Sequence, residues 1–90
     1  MITSRENVYA ALDSERSYQI FRWDESNNKH NHTIEEWITY IEDYLAEAKH
    51  ILSREDWPGC DEKTIHIIRK VTAMGVACME QRGAPRREGY

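Results

Sequence analysis

Residues 33–54 read TIEEWITYIEDYLAEAKHILSR, and this stretch decides the fold. Thr33 followed by Glu36 fits a capping box, in which hydroxyl and carboxylate each satisfy a free backbone N–H at the start of a helix. Apolar residues then recur at Ile34, Trp37, Ile38, Ile41, Tyr44, Leu45, Ala48, Ile51 and Leu52. At about 100° per residue they gather on one face, so Thr33 to about Arg54 is an amphipathic helix.

Helices are also expected on either side. Ser4 is a candidate N-cap for a first helix running to about Arg22, with Val8, Ala11, Leu12 and Tyr18 on its inner side. The polar run from Asp24 to His32 has no helical or alternating pattern and reads as a loop. Trp57-Pro58-Gly59 is a turn that ends the second helix. A third helix begins near Asp61 and stops at Gly83, where glycine followed by Pro85 makes an exit. Its apolar residues, among them Ile65, Ile67, Ile68, Val71, Met74, Val76, Cys78 and Met79, span roughly 200° of the wheel, against the ~100° one neighbour requires. That width fits either a helix central in its own bundle or one that also meets another chain. Gly75 sits inside the arc and would admit a close backbone, although glycine in a helix costs about 1 kcal/mol relative to alanine.

The expected architecture is thus all-α, a three-helix chain that assembles into a helical homo-oligomer, a homodimer or homotetramer. Residues 1–83 form a single helical domain and residues 84–90 a basic C-terminal tail. A chain of 90 residues buries only about 60% of its unfolded surface and has no room for a second core.

Composition excludes several classes. Twelve Lys and Arg against sixteen Asp and Glu leave a formal charge of −4, which argues against a coat for duplex DNA or anionic lipid. No apolar run approaches the roughly 20 residues of a membrane span, and the opening MITSRENVYA lacks the pattern of a signal peptide. A cytoplasmic protein is expected, with Cys60 and Cys78 as reduced thiols. The histidines and cysteines match no zinc spacing, and no GxxxxGK[ST], GxGxxG or GxSxG occurs. No metal and no cofactor are expected.

Charge is uneven along the chain. Residues 34–59 hold seven acids against two bases, a balance of −5, whereas residues 60–90 hold six bases against four acids, a balance of +2. An anion site should therefore draw on the C-terminal third, where Arg69 and Lys70 lie. Arg86 and Arg87 belong to the tail, which is either a frayed terminus or an arm laid over a phosphate or a neighbouring subunit.

The most informative anomaly is on the first helix. Glu15, Gln19 and Arg22 share an arc with Val8, Ala11, Leu12 and Tyr18, so polar groups point where the core should be. Burying a carboxylate, an amide and a guanidinium costs several kcal/mol unless each is paired. One explanation is an interhelical network, with Arg22 on acids of the second helix and Gln19 on a backbone group. The other is a ligand pocket, with Arg22 on a phosphate, Tyr18 or Trp23 stacking on a base, and Glu15 or Gln19 reading base edges. The two are compatible.

The second helix also aligns Glu36, Asp43 and Glu47, as in all-α magnesium-dependent nucleotide hydrolases. On the wheel these acids centre about 130° from the apolar face, toward solvent. The third helix supplies no matching carboxylate pair, only Glu62 and Glu80 near its ends.

The words ERSYQ (Glu15 to Gln19), RW (Arg22-Trp23), HTIEEW (His32 to Trp37), YIEDY (Tyr40 to Tyr44), EAKH (Glu47 to His50), SRE (Ser53 to Glu55), RKV (Arg69 to Val71), GVACME (Gly75 to Glu80) and GAPRRE (Gly83 to Glu88) resemble a widespread family of small bacteriophage proteins, many labelled MazG-like. That family is similar in turn to phage anti-CBASS sponges, small oligomers that hold cyclic oligonucleotide immune signals without cleaving them. The resemblance implies a non-enzymatic protein of the infected host's cytosol that binds a cyclic dinucleotide such as 3′,3′-cGAMP or a related nucleotide. A pocket at a two-fold interface would present one Arg, Tyr and Gln set from both sides of such a ligand. The alternatives are a MazG-like pyrophosphohydrolase using Glu36, Asp43 and Glu47 with Mg²⁺, and a phage protein that binds a host protein.

Overall fold

The computed structural model describes residues 2–25, 31–54 and 59–89, and every regular element in them is helical. Three helices run Arg5–Glu25 (α1), Ile34–Arg54 (α2) and Cys60–Arg82 (α3). Ser26 to His30 of the expected loop, and Trp57-Pro58 of the expected turn, lie outside the described residues.

The sequence signals at the helix ends act as read. Ser4 caps α1, its Oγ accepting from the Asn7 N–H at 3.1 Å. The Thr33 N–H donates to Glu36 Oε1 at 2.9 Å and the Glu36 N–H to Thr33 Oγ1 at 3.1 Å, a complete capping box. Gly59 precedes α3 with φ 103°, a left-handed conformation that glycine adopts without strain. Gly83 (φ 115°) ends it, its N–H donating to the Met79 carbonyl at 2.9 Å. One boundary differs. α1 continues to Glu25, beyond Arg22, because Trp23 has a site to occupy: its ring lies 5.8 Å from that of Trp37, and Arg16 covers it at 5.4 Å.

α3 is the element the other two share. Both α1 and α2 pack along it, and their backbones do not pack on each other. The α2–α3 seam is apolar, with Ala48, Ile51, Ile67 and Val71 at one end and Trp37, Met74 and Ala77 at the other; Ile41 and Tyr44 touch both groups. Trp37, expected in the core, is 1% exposed.

The α1–α3 seam is mostly polar. Arg16 Nη2 holds Glu80 Oε1 at 2.7 Å, Gln19 Nε2 donates to the Lys70 carbonyl at 3.3 Å, and Arg69 Nε donates to Glu15 Oε1 at 2.7 Å. Ala73 and Ala77, both fully buried, present no bulk on the α3 surface. The expected inner residues of α1 are corrected here. Val8 and Ala11 are exposed and Leu12 is half-buried, because the contacts of α1 to α3 come from its second half; Tyr18, in that half, is exposed because it borders the cleft.

The capping box makes a pH prediction. The Thr33 backbone N–H holds the Glu36 carboxyl below its ordinary value of 4.5 against the opposing effect of desolvation, helped by the Thr33 hydroxyl and by the charges of His32 and Arg82. A carboxyl lowered in the folded state stabilises it above the unfolded value, and that contribution is lost as pH falls through the folded one. Thermal melts of Glu36→Gln should therefore match the wild type in acid and fall below it at neutral pH. Thr33→Ala should cost about 1 kcal/mol in urea titrations at pH 7.

A candidate ligand cleft between the first two helices

Because α1 and α2 flank α3 without closing on each other, a cleft of about 650 Å³ opens between them. α1 supplies Glu15, Tyr18, Gln19, Arg22 and Trp23; α2 supplies Trp37, Tyr40 and Tyr44; Lys70 and Met74 of α3 form the floor, and His32 lines one end. The volume lies in the ~300–1,000 Å³ range of small-molecule sites. All five α1 residues singled out from the sequence line this one cavity, together with Lys70.

Of the trio expected to be buried, Glu15 is 9% exposed and Gln19 4%, but Arg22 is exposed. Arg22 lines the cleft but remains exposed, at its rim rather than in an interior. It meets no desolvation cost there. Tyr18, at 58% exposure, stands on the opening as well.

The buried pair is only partly satisfied. Glu15 is neutralised by Arg69, whose Nη1 also lies 2.7 Å from His66 Nδ1. Gln19 gives its amide N–H to the Lys70 carbonyl, while its Oε1 is buried and has no partner among the described residues. Turning the amide over would set oxygen against oxygen at Lys70, so the unpaired atom is the acceptor. Arg16 Nη1 is the other buried polar atom without a partner there.

The far end of the cleft is built with care. Trp37 Nε1 donates to Gln81 Oε1 at 2.9 Å, and the same oxygen accepts from the His32 N–H at 3.1 Å. Arg82 grips the His32 carbonyl through Nε at 3.0 Å and Nη2 at 2.6 Å. The His32 ring is thereby set edge-on to Trp37 and Tyr40, with centroids 5.0 Å away in each case. On the floor, Lys70 Nζ lies 4.2 Å from the Tyr44 ring centroid. Aromatic faces with a cation at each side can bind a flat, anionic molecule.

The remaining predicted residues fall elsewhere. Arg69 faces a second, adjoining hollow of about 450 Å³ with Lys63, His66 and Glu47 rather than the main cleft, and its guanidinium is committed to Glu15 and His66. In this structure it holds the Glu15 carboxylate. Arg86 and Arg87 lie past α3 on the exposed tail and line neither hollow. Glu36, Asp43 and Glu47 are all exposed on α2, and Glu36 is engaged in its capping box. Among the described residues no three His, Cys, Asp or Glu side chains converge as a metal site would require. Nor does any described helix have the length and apolarity to cross a membrane.

Sequence reasoning had not assigned Tyr40, Tyr44 and His32 to the site, nor foreseen the Arg16–Glu80 pair. Tyr44 belonged to the apolar row of α2 and Tyr40 to its acidic row. Both therefore sit at the border between rows, the signal of a residue half in and half out. No protein family, no curated protein and no solved structure matches the chain.

The polar seam can be tested without a ligand. Arg69→Met leaves Glu15 buried and unpaired, so it should destabilise the chain by about 2 kcal/mol in urea titrations. Adding Glu15→Gln should recover part of that loss. Equal losses in the single and double variants would show the pair to be uncoupled.

Proposed function

We propose that the chain is a phage immune-evasion protein of the infected host's cytosol, resembling the anti-CBASS sponges, that binds a cyclic oligonucleotide signal such as 3′,3′-cGAMP and sequesters it without cleaving it. The observation that carries this reading is the unpaired Oε1 of Gln19, buried in the wall of an aromatic cleft. A buried acceptor without a partner is costly, and a ring N–H or exocyclic amine of a nucleobase is the donor that fits it. Tyr18 and Trp23 offer faces for stacking, and Arg22 and Lys70 supply positive charge at the rim and the floor for phosphate oxygens. Among the described residues the one carboxylate lining the cleft is tied to Arg69, which leaves that lining positive. In the proposed homo-oligomer the ligand is held between subunits, each chain presenting the same Arg, Tyr and Gln set. The protein further acts as a homo-oligomer, a dimer or tetramer.

The test is a thermal-shift panel of cyclic di- and trinucleotides and nucleoside triphosphates, followed by chromatography of the nucleotide recovered after heat denaturation. A cyclic oligonucleotide should raise the melting temperature and return intact. Mg²⁺-dependent conversion would instead mean a hydrolase, and no shift with any nucleotide would leave the host-protein reading. Arg22→Ala and Gln19→Leu should each weaken binding at least about tenfold, the loss of one charge-assisted or buried hydrogen bond. Because the Arg22 side chain is exposed, its variant should keep the helical circular-dichroism spectrum of the wild type.

A further inference from the structure

The entrance to α2 is held more firmly than the start of a helix requires. Thr33 and Glu36 already close a capping box there. The residue before the box, His32, is clamped in addition by the far end of α3, about 50 positions along the chain. Its N–H donates to Gln81 Oε1 at 3.1 Å, and its carbonyl accepts from Arg82 Nε at 3.0 Å and Nη2 at 2.6 Å. The same Gln81 oxygen accepts from Trp37 Nε1 at 2.9 Å, so the clamp is tied to a tryptophan of the core. With both backbone groups of His32 bonded, the direction in which its side chain leaves the chain is set.

We infer that His32 is a ligand-binding residue of the cleft, its ring a stacking face for a flat heterocyclic base, and that Arg82 is the positioning residue that holds this face ready. The inference rests on the nucleotide reading above and adds a residue which that reading does not use. His32 lines the cleft beside Trp37 and Tyr40. Its ring stands at 80° to Trp37 and 64° to Tyr40, with centroids 5.0 Å away in each case, so neither of these two rings lies parallel on it. Edge-to-face neighbours restrain an imidazole without taking the place of a stacked partner. Histidine is among the side chains on which unpaired bases stack.

The clamp explains itself on this reading. A side chain ordered before its ligand arrives gives up little freedom on binding, and the saving appears as affinity. Arg82 grips the His32 carbonyl and is not part of the cleft lining, so its effect on a ligand passes through His32. Gln81 is the poorer residue to remove, because its loss would strand the buried Trp37 N–H.

Isothermal titration calorimetry of the full chain with 3′,3′-cGAMP, cyclic di-AMP and cyclic tri-AMP tests this, paired with proton NMR of the His32 ring in the unliganded protein. His32→Ala removes the ring and keeps the backbone clamp, so it should weaken binding about tenfold with the circular-dichroism spectrum unchanged. His32→Phe keeps a flat face and should bind within about threefold of the wild type. Arg82→Ala should weaken binding by a factor similar to His32→Ala, and the double variant should lose no more than His32→Ala alone. In unliganded Arg82→Ala the His32 ring protons should leave the ring currents of Trp37 and Tyr40 and move towards the positions of an unfolded histidine. A contact that merely secured the helix end would leave them in place. Wild-type affinity in His32→Ala, or no recovery in His32→Phe, overturns the stacking role and leaves the nucleotide reading standing. Losses that add in the double variant, or unmoved ring protons, overturn the positioning role of Arg82. A wild type that binds none of the three nucleotides overturns the nucleotide reading and this role together.

Discussion

The polar mount of α1 on α3 is the interaction on which the rest depends. Arg16–Glu80, Gln19 to the Lys70 carbonyl and Glu15–Arg69 hold one helix against another with little apolar burial between them. An apolar α1 would gain by collapsing onto α2, since burial is non-directional and rewards any contact. Hydrogen bonds and ion pairs reward one geometry, and this geometry keeps α1 on α3 and leaves the cleft open.

The mount also divides labour along α1. Its inner edge is spent on α3, its outer edge on solvent, and the edge between them carries Glu15, Tyr18, Gln19 and Arg22 into the cleft. Gln19 serves both sides at once: its amide N–H is structural and its buried oxygen remains to be satisfied. A side chain with one satisfied and one unsatisfied end is well suited to reading a ligand, because its position is fixed before the ligand arrives. The opposite wall is fixed in the same manner, with Gln81 holding both Trp37 and the backbone before α2.

The α2–α3 hairpin presents more than one chemistry to its surroundings. Aromatic and cationic groups line the cleft, while aliphatic side chains stand elsewhere on its surface. A small chain cannot bury everything within itself, and this one leaves the Gln19 Oε1 unpaired beside the cleft and apolar side chains such as Ile38 and Ile65 exposed.

By itself the sequence determined the three helices, their caps and exits, the burial of Trp37 and the grouping of Glu15, Tyr18, Gln19 and Arg22 on one arc. These are local matters: a capping box closes within three residues, and helical periodicity places side chains by spacing alone. Only the tertiary structure decided that α1 and α2 both pack their backbones on α3 and meet each other only through side chains such as Trp23 and Trp37. That choice exposes Arg22 and Tyr18, pairs Arg69 with Glu15, and brings Tyr40, Tyr44 and His32 to the same cavity. Periodicity says which face of a helix is apolar but not which neighbour will cover it, and the contacts that settle the matter here join residues some 50 to 64 positions apart.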